Sequence, residues 1–458
     1  MEGIWKRAAV AVALSLASLP AGAETLTDAL IAAYRSSNLL DQNRALLRAQ
    51  DESVAQAVAR LRPVVSYALE ASHSRTQRSP TAPGTWQSSL ESQLALQASL
   101  VVYDFGRNAL AIEQAKETVL ATREALVNLE QQVLLGAVSA YIDVRLAEAK
   151  LELGRSNLRV IQEELRAAQD RFEVGEITRT DVALTEARLA TARASLASAE
   201  GDLLVARESY LAATGAYPGR LSAPPAAPST ARSLEAARGV AQTNHPVIRQ
   251  AQREVTIGEL GVARAKANLK PSVSLQAQVS QDDRGLGQEV VSLEMSQTIY
   301  QGGGLSAAYR AAIAQRDAAR AALLQAGVDI NESVGVAWSS VQIFTASIEA
   351  SRRQIEAAQA AYDGVVEEAR LGARTSLDVL DAEQDLLDAR VSLVEAEAGR
   401  YEATYRLLSA MGLLTVDHLN LGIPTYDPAA YYNAVKNAPA LSAQGARLDR
   451  ILGTVKPD

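Results

Sequence analysis

The chain contains the same turn twice, and this duplication limits its possible folds more than any other feature. The stretch 174–182 (Val-Gly-Glu-Ile-Thr-Arg-Thr-Asp-Val) recurs 197 residues later as 371–379 (Leu-Gly-Ala-Arg-Thr-Ser-Leu-Asp-Val). In each copy a long helical pattern ends at Gly, which suits the left-handed residue that follows a helix. Thr-x-x-Asp then begins a new helix, because it resembles a capping box. Each copy therefore predicts a tight turn between two antiparallel helices, and the chain is an internal repeat.

The first 23 residues have the composition of an export signal. Lys6 and Arg7 precede an apolar run from Ala8 to Leu19, and Ala21-Gly22-Ala23 fits a signal-peptidase site. A run of this length is too short to cross a bilayer as a helix. We therefore expect 1–23 to be a signal peptide and the mature chain to be exported.

Composition excludes several classes of function. The chain has no cysteine and a formal net charge of −8, which excludes disulfides and a lipid-modified cysteine and gives no sign of a nucleic-acid partner. His73, His245 and His418 lie on different predicted elements, without the spacing of a metal site. No phosphate-binding or dinucleotide-binding loop follows a predicted strand. We expect no enzyme, no cofactor and no dedicated metal site.

Each repeat is predicted to contain a helix, a β-hairpin, a long helix, a turn and a return helix, in that order. In the first repeat, 24–230, the hairpin spans 64–103, the long helix 107–172 and the return helix 180–214, followed by a Pro-rich linker. In the second repeat, 231–424, the corresponding elements are 272–300, 304–370 and 377–411. The remaining 425–458 form a polar tail whose role the sequence does not indicate.

The hairpins are predicted from a change of period after Pro63 and Pro271, where each preceding helix ends. Leu and Val then alternate with Ser, Gln and Glu, which predicts strands with one apolar and one polar face. No mature segment has eighteen continuous apolar residues, so β-barrel strands are the only spanning option. Four strands cannot close a barrel, whereas three copies would supply 12, an even number within the bacterial range. The same periodicity also fits a small periplasmic β-domain on a coiled coil.

The order of these elements, together with the ten residues from Gly372 to Asp381, resembles the TolC family of outer-membrane efflux channels over nearly all of the mature chain. The resemblance implies an α+β membrane protein. Its homotrimer would have one 12-stranded β-barrel, with four strands per chain, continued by a long α-helical barrel. The two internal repeats and the position in the outer membrane of a Gram-negative bacterium, extending into the periplasm, belong to the same expectation.

The resemblance also implies a function and partners. The chain would be the passive, gated exit duct of a tripartite efflux or type I secretion system. It would contact outer-membrane lipid, a periplasmic adaptor (membrane fusion protein) and an inner-membrane pump or ABC transporter. Neither the substrates nor the choice between drug efflux and protein secretion is indicated.

Charged residues at the turns are the candidate site. Asp378 and Asp381 lie one turn apart and share a helix face; Asp378 can cap its helix, as Asp181 can, whereas Asp381 lies beyond the cap. The resemblance places Arg374, Asp378, Asp381, Asp181 and Thr180 at a periplasmic aperture. Asp378 and Asp381 would form acidic rings that favour cations and bind multivalent cations that block the pore. Arg374 would link to Asp181 and Thr180 of the neighbouring helix pair.

The turns themselves are expected to meet the adaptor. The resemblance assigns this contact to Val174, Gly175, Leu371 and Gly372. The chain departs from the family three residues before each Gly, where the constricting Tyr is replaced by Phe172 in the first repeat and Ala369 in the second. We therefore expect a closing network that is weaker or built differently.

Two other classes of function remain open. One is a periplasmic coiled-coil adaptor or structural protein without a membrane barrel, which the four amphipathic strands disfavour. The other is a stand-alone porin, in which helices of this length would have no place.

Overall fold

The computed structural model describes residues 23–77 and 86–437. The predicted signal peptide up to residue 22, the first hairpin's tip at 78–85 and the tail beyond 437 lie outside this part. The helices in chain order are α1 (Leu26–Ser36), α2 (Asn38–Ala59), α3 (Arg107–Glu173), α4 (Arg179–Thr214), α5 (Leu234–Asn244), α6 (Pro246–Ala267), α7 (Gly304–Arg370), α8 (Ser376–Ala410) and α9 (Pro428–Val435). The strands are β1 (Val64–Gln77), β2 (Trp86–Tyr103), β3 (Ser272–Asp282) and β4 (Gly287–Ser296).

The predicted combination of long helices with four strands is confirmed. α3 and α7 have 67 residues each, and the strands form one antiparallel sheet in the order β1-β2-β3-β4. The two hairpins join through β2 and β3, where Leu96 lies opposite Val279. No helix in the described ranges is both long enough and apolar enough to cross a membrane.

The internal repeat is visible in the backbone as well as in the sequence. Gly175 and Gly372 both follow a long helix with a positive φ, of 80° and 77°. Gly215 and Gly412 follow the return helices with φ values of 82° and 74°. Since only Gly adopts this region at no steric cost, the paired glycines mark the same turns in the two repeats.

The helix that opens each repeat is broken near its middle. The continuous helical pattern of 26–61 did not predict the first break, whereas Pro246 indicates a kink or a helix start in the pattern of 234–269. In the first repeat Ser37 separates α1 from α2, and its hydroxyl accepts a hydrogen bond from the Leu40 amide at 3.3 Å. In the second, His245 caps α6 through Nδ1, which accepts from the Val247 amide at 3.2 Å, and Pro246 opens the helix. A capping side chain thus competes successfully with helix continuation at both places.

The sheet has one apolar and one polar face, as the alternation predicts. Cross-strand partners on one face are apolar, such as Tyr67 with Leu96 and Leu275 with Leu293. On the other face Ser66 lies opposite Gln97. The apolar face is open in a single chain, because Tyr67 is 80% and Leu293 is 68% exposed. β1 and β4 are the edges of this sheet.

Contacts divide the chain into two compact units. The first contains 23–33, Ala137–Ala227 and Gln354–Glu395, and therefore both of the repeated Gly turns. The second contains 34–77, 86–136, Pro228–Arg353 and 396–437, and therefore the four strands of the sheet. α3, α7 and α8 each contribute residues to both units.

In the first unit, the beginning of the described chain is fixed to the inter-repeat linker. Glu24 forms a parallel β-bridge with Leu221. Its carboxylate accepts hydrogen bonds from the Tyr210 hydroxyl at 2.5 Å and from the Gly219 amide at 3.1 Å. Tyr210 is fully buried, whereas the bond from Gly219 is exposed.

In the second unit, the segment 426–437 lies across α2 and α3. Tyr426 and Tyr432 pack against a buried apolar cluster of Leu47, Val54 and Val119. The tail of the chain is therefore part of the folded unit at least as far as α9.

Candidate functional site

Both Gly turns of the first unit end their long helix in the same way. The Gly175 amide donates to the Phe172 carbonyl at 3.0 Å, and the next amide donates to the Arg171 carbonyl at 2.9 Å. Gly372 and the residue after it repeat these two bonds, at 3.0 and 2.9 Å. This pattern is the Schellman motif, in which two otherwise unpaired carbonyls at a helix end are satisfied.

The helix after each turn begins with a capping box. Thr178 and Asp181 exchange hydrogen bonds, with the Thr178 amide donating to Asp181 Oδ2 at 2.9 Å. Thr375 and Asp378 do the same, at 2.9 Å. Hydrogen bonds from the backbone amide and the hydroxyl of the Thr lower the pKa of each Asp. Asp181 and Asp378 therefore remain ionised well into the acid range, and capping is one of their roles.

Arg374 lies on the second turn and is bound to its own helix pair. Its Nε donates to Glu368 Oε2 at 2.8 Å, and both side chains are about half exposed. The Glu368 carboxylate raises the pKa of Arg374. The predicted link of Arg374 to Asp181 and Thr180 of a neighbouring helix pair stays a prediction; Thr180 is exposed in the single chain.

Asp381 lies beyond the cap and has a partner that the sequence did not suggest. Arg188 of α4 donates through Nη2 to Asp381 Oδ1 of α8 at 2.5 Å. The side chains are 39% and 55% exposed. Since the guanidinium offsets the carboxylate charge, Asp381 is electrostatically unlike Asp378, although the sequence grouped the two.

Further contacts of the first unit join α8 to α3 and α4. Leu380 packs in a buried cluster with Ile161 of α3 and with Leu189 and Ala192 of α4. Lys150 Nζ of α3 forms an ion pair with a carboxylate oxygen of α8, that of Glu395, at 2.6 Å. α8 is therefore held near its beginning by apolar packing and the Arg188 ion pair, and past its middle by the Lys150 ion pair.

Glu383, in the same region of α8, has a buried carboxyl oxygen, Oε2, without a hydrogen bond in the described part of the chain. Burial, reinforced by the Glu164 carboxylate of α3, raises the pKa of Glu383 to about 7, and Arg390 opposes the shift. A carboxyl with such a pKa changes charge near neutral pH.

The predicted adaptor-contact residues include two large apolar side chains in water. Val174 is 72% and Leu371 is 85% exposed. In the first repeat Phe172, at the position of the family's constricting Tyr, is 44% exposed. In the second repeat this position is Ala369. Neither Phe172 nor Ala369 has a hydroxyl, so both turns lack the hydroxyl of the family's Tyr.

The described ranges contain no group of three or more His, Asp or Glu residues that could hold a metal ion. His245 is buried as a helix cap, and burial lowers its pKa to about 4. It is therefore neutral at physiological pH and serves the fold.

A long-helix chain with an open, two-faced sheet and an acidic turn region defines a class of channel-forming membrane protein. The sequence profile of the outer membrane efflux protein family matches residues 7–216 and 238–413. The chain belongs to this family.

Individual relatives support this family assignment. The outer membrane efflux protein BepC of Brucella suis biovar 1 (strain 1330) is 35% identical over 440 residues, covering 94% of this chain and 95% of BepC. The alkaline protease secretion protein AprF of Pseudomonas aeruginosa is 26% identical over 348 residues, covering 72% and 71%. The crystal structure of the Campylobacter jejuni CmeC outer membrane channel has the same fold, with a TM-score of 0.76 at 14% identity, over 91% of this chain and 90% of CmeC.

The predicted family, the fold of long helices with a four-stranded sheet, the function and the location are therefore confirmed, whereas the homotrimer stays a prediction. The chain is an outer-membrane export channel protein that extends into the periplasm, and it acts passively rather than as an enzyme. Channels of this family work with an adaptor and a pump, so this chain too works with partner proteins.

Proposed function

We propose that three copies of the chain form one channel, with a 12-stranded barrel in the outer membrane and a tube of long helices in the periplasm. The observation that carries the proposal is the open four-stranded sheet with an exposed apolar face. In lipid, the unpaired backbone groups along β1 and β4 would each cost several kcal/mol. Pairing β4 of one chain with β1 of the next removes both edges and points the apolar face at lipid.

Cross-linking tests this pairing, and the cysteine-free chain suits it. A Cys at Ser292 in β4 is combined in turn with a Cys at each position of 66–72 in β1. Within one chain β1 and β4 are three strand spacings apart, about 14 Å, so a shorter bifunctional maleimide joins only neighbouring chains. We expect cross-linked species of two and of three chains, and none larger.

The matched control pairs Ser66→Cys with Gln97→Cys, which face each other within the chain. This pair should cross-link without raising the mass. A membrane-extracted protein in which the control reacts and no β1–β4 combination yields oligomers would refute the proposed barrel.

We infer that Arg374, Asp378, Asp381, Asp181 and Thr180 form the periplasmic aperture of this channel. The contacts of the single chain support a division of labour among them. Asp378 is partly exposed with a lowered pKa, so three copies would place a ring of fixed negative charge there. The partner of Asp381 offsets its charge, so it contributes more to closure than to ion selectivity.

Selectivity measurements test this division. Asp378→Ala should shift the reversal potential in a salt gradient towards lower cation selectivity and weaken block by multivalent cations. Asp381→Ala should lower cation selectivity and weaken the block by a smaller amount. Equal shifts for the two variants would contradict the inference, and no shift in the double variant would remove the acidic ring altogether.

Arg374→Ser should loosen the closed state. The turn then loses the guanidinium group that is bound to Glu368, and with it the predicted link of Arg374 to a neighbouring helix pair. The expected result is a larger single-channel conductance in a planar bilayer. Conductance equal to that of the wild type would argue against a role for Arg374 in closure.

The turns are the proposed contact with the periplasmic adaptor. Val174 and Leu371 support this, because large apolar side chains in water at a helix turn favour burial against a partner. Leu371→Ser with Val174→Ser should weaken co-purification of the adaptor while leaving channel conductance unchanged. Retained adaptor binding would contradict the assignment.

The pump and adaptor that join this channel decide which class of substrate it carries. BepC is named as an efflux protein and AprF as a protease secretion protein, and either role fits this duct. Deleting the gene and measuring both drug susceptibility and secreted proteins separates the two, since only the pathway that uses this channel should fail.

A further inference from the structure

The two repeats carry a carboxyl group and an arginine at equivalent positions, but only the second repeat pairs them. Asp51 of α2 lies 208 residues before Glu259 of α6, which is the offset between these two helices. Arg123 of α3 lies 197 residues before Arg320 of α7, which is the offset between the two Gly turns. Arg320 Nη2 donates to Glu259 Oε1 at 2.7 Å, and both side chains are 51% exposed. The second repeat therefore shows the pair in its uncovered form.

In the first repeat the segment 426–437, which we call the strap, covers this position. Leu47, Asp51 and Val54 share one face of α2, because they are four and three residues apart. Two tyrosines of the strap pack against the cluster that contains Leu47 and Val54. Asp51 lies between these two apolar residues and is 0% exposed. The strap and α3 thus bury a carboxyl group whose counterpart in the second repeat is in water.

The strap also takes the arginine away from its carboxyl partner. Arg123 Nη2 donates to the Pro428 carbonyl at 3.0 Å, and the guanidinium carbon lies 5.2 Å from the centre of the Tyr432 ring. Neither carboxyl oxygen of Asp51 has a hydrogen-bond partner in the described part of the chain. Since a buried carboxylate without a partner is unfavourable, the docked strap favours the protonated form of Asp51.

The charges around Asp51 lead to the same conclusion. The charged and titratable groups that face Asp51 or the neighbouring strap residue Tyr426 are Arg44, Arg48 and Glu52 of α2 and Arg123 of α3. Burial raises the pKa of Asp51 to about 6, Glu52 adds to the rise and Arg123 opposes it. With the strap docked, Asp51 therefore changes charge between acid and neutral pH.

The strap is short, so its position depends on a small number of contacts. Its helix α9 has eight residues, which is too few for a stable isolated helix. The Tyr431 hydroxyl donates to Glu52 Oε1 at 2.8 Å, and the Tyr426 amide donates to the Tyr34 hydroxyl at 3.3 Å. Losing the Arg123 contacts would remove a substantial part of what holds the strap.

We propose that the strap and Asp51 compete for Arg123, and that a proton on Asp51 decides the outcome. While Asp51 is protonated, Arg123 binds the strap and the strap stays on α2 and α3. When Asp51 loses the proton it pairs with Arg123, as Glu259 pairs with Arg320, and the strap is released. Docking is therefore favoured at acid pH and weakened as the pH rises through about 6. The device lies within one chain, so it does not depend on the proposed barrel.

Hydrogen exchange of the full-length protein in detergent tests the proposal. Deuterium uptake of peptides from 428–437 is measured at pH 4 and pH 7, and each rate is divided by the intrinsic rate at that pH. A pKa of about 6 in the docked form and an ordinary one of about 3.9 after release make docking about fiftyfold weaker at pH 7. The protection of these amides should fall by the same factor. Equal protection at the two pH values would overturn the proposal.

Peptides from α7 in the same samples report whether the protein stays folded, and they should be protected at both pH values. Asp51→Asn keeps the size of the side chain without its charge, so the strap should remain protected at pH 7. Glu259→Gln changes the equivalent residue of the second repeat and should leave the fiftyfold fall unaltered. A fall that persists in Asp51→Asn would overturn the role of Asp51. So would low protection of the strap at both pH values while α7 stays protected.

The share of Arg123 in the competition is tested through the ring that it contacts. Tyr432→Ala weakens the hold of the strap on Arg123, so release should occur at a pH lower by about 0.5 or more. Tyr432→Phe keeps an aromatic ring and should release the strap at the wild-type pH. An unchanged release pH in Tyr432→Ala would show that the strap does not compete for Arg123.

Discussion

Reversing the charge of Arg188 should open the channel. The Arg188 guanidinium holds Asp381 of α8 against α4 at 2.5 Å, and Arg188→Glu would replace this attraction with repulsion. Because the two side chains are 39% and 55% exposed, the pair contributes only about 0.2–1 kcal/mol. Repulsion of similar size makes the total change about 0.4–2 kcal/mol per chain. In the proposed trimer three such changes add to about 1–6 kcal/mol, which favours opening by a factor of about 10–10⁴.

Single-channel recording in planar bilayers measures this shift. We expect Arg188→Glu to raise the open fraction strongly at low salt and less at about 1 M salt, where exposed charges are screened within about 3 Å. Adding Asp381→Arg restores an attractive pair and should return the channel to its closed state.

Arg352→Glu is the matched control, because Arg352 forms a similarly exposed ion pair with Glu397 in the second unit, at 3.3 Å. It should leave conductance unchanged. Wild-type conductance in Arg188→Glu would refute the reasoning. A double variant that stays open would show that Arg188 acts through folding rather than through Asp381.

Three further variants test the account of the fold by chemical denaturation in detergent. Burial raises the pKa of Asp51 from 3.8 to about 6, so Asp51 should lower the wild-type unfolding free energy by about 2–3 kcal/mol as the pH rises from about 4 to about 6. Asp51→Asn should remove this part of the slope and leave the part due to Glu383, and a slope equal to that of the wild type would refute the assignment. Tyr210→Phe removes a buried hydrogen bond to the Glu24 carboxylate and should cost about 1.5–3 kcal/mol, whereas a neutral result would contradict that bond. A Cβ at Gly399 would lie 2.4 Å from the Phe344 ring, so Gly399→Ala should cost about 1–3 kcal/mol by overpacking, and no loss would show that the ring moves freely.

What the sequence predicts well is local. The repeated turns were predictable because helix-ending Gly and Thr-x-x-Asp act within a few residues, and their Schellman bonds and capping boxes form as expected. The strands were predictable because apolar and polar residues alternate with a period of two, a pattern that does not depend on which strands pair. Family resemblance supplied the outer-membrane location, which no local pattern contains.

What the sequence missed depends on distant contacts. Arg188 and Asp381 lie 193 residues apart, and no spacing rule connects them. The helix break at Ser37 was missed, because an N-cap outweighed a continuous apolar pattern, whereas Pro246 indicates the break at His245. The positive φ of Phe105, 54°, had a signal in the sequence, since aligning the repeats places it opposite Gly302.

The stoichiometry of the detergent-extracted mature protein tests the central claim most directly. Native mass spectrometry should give a single species of three chains, because only three four-stranded sheets make the proposed 12-stranded barrel. A monomer, or a stable particle with any other number of chains, would contradict it.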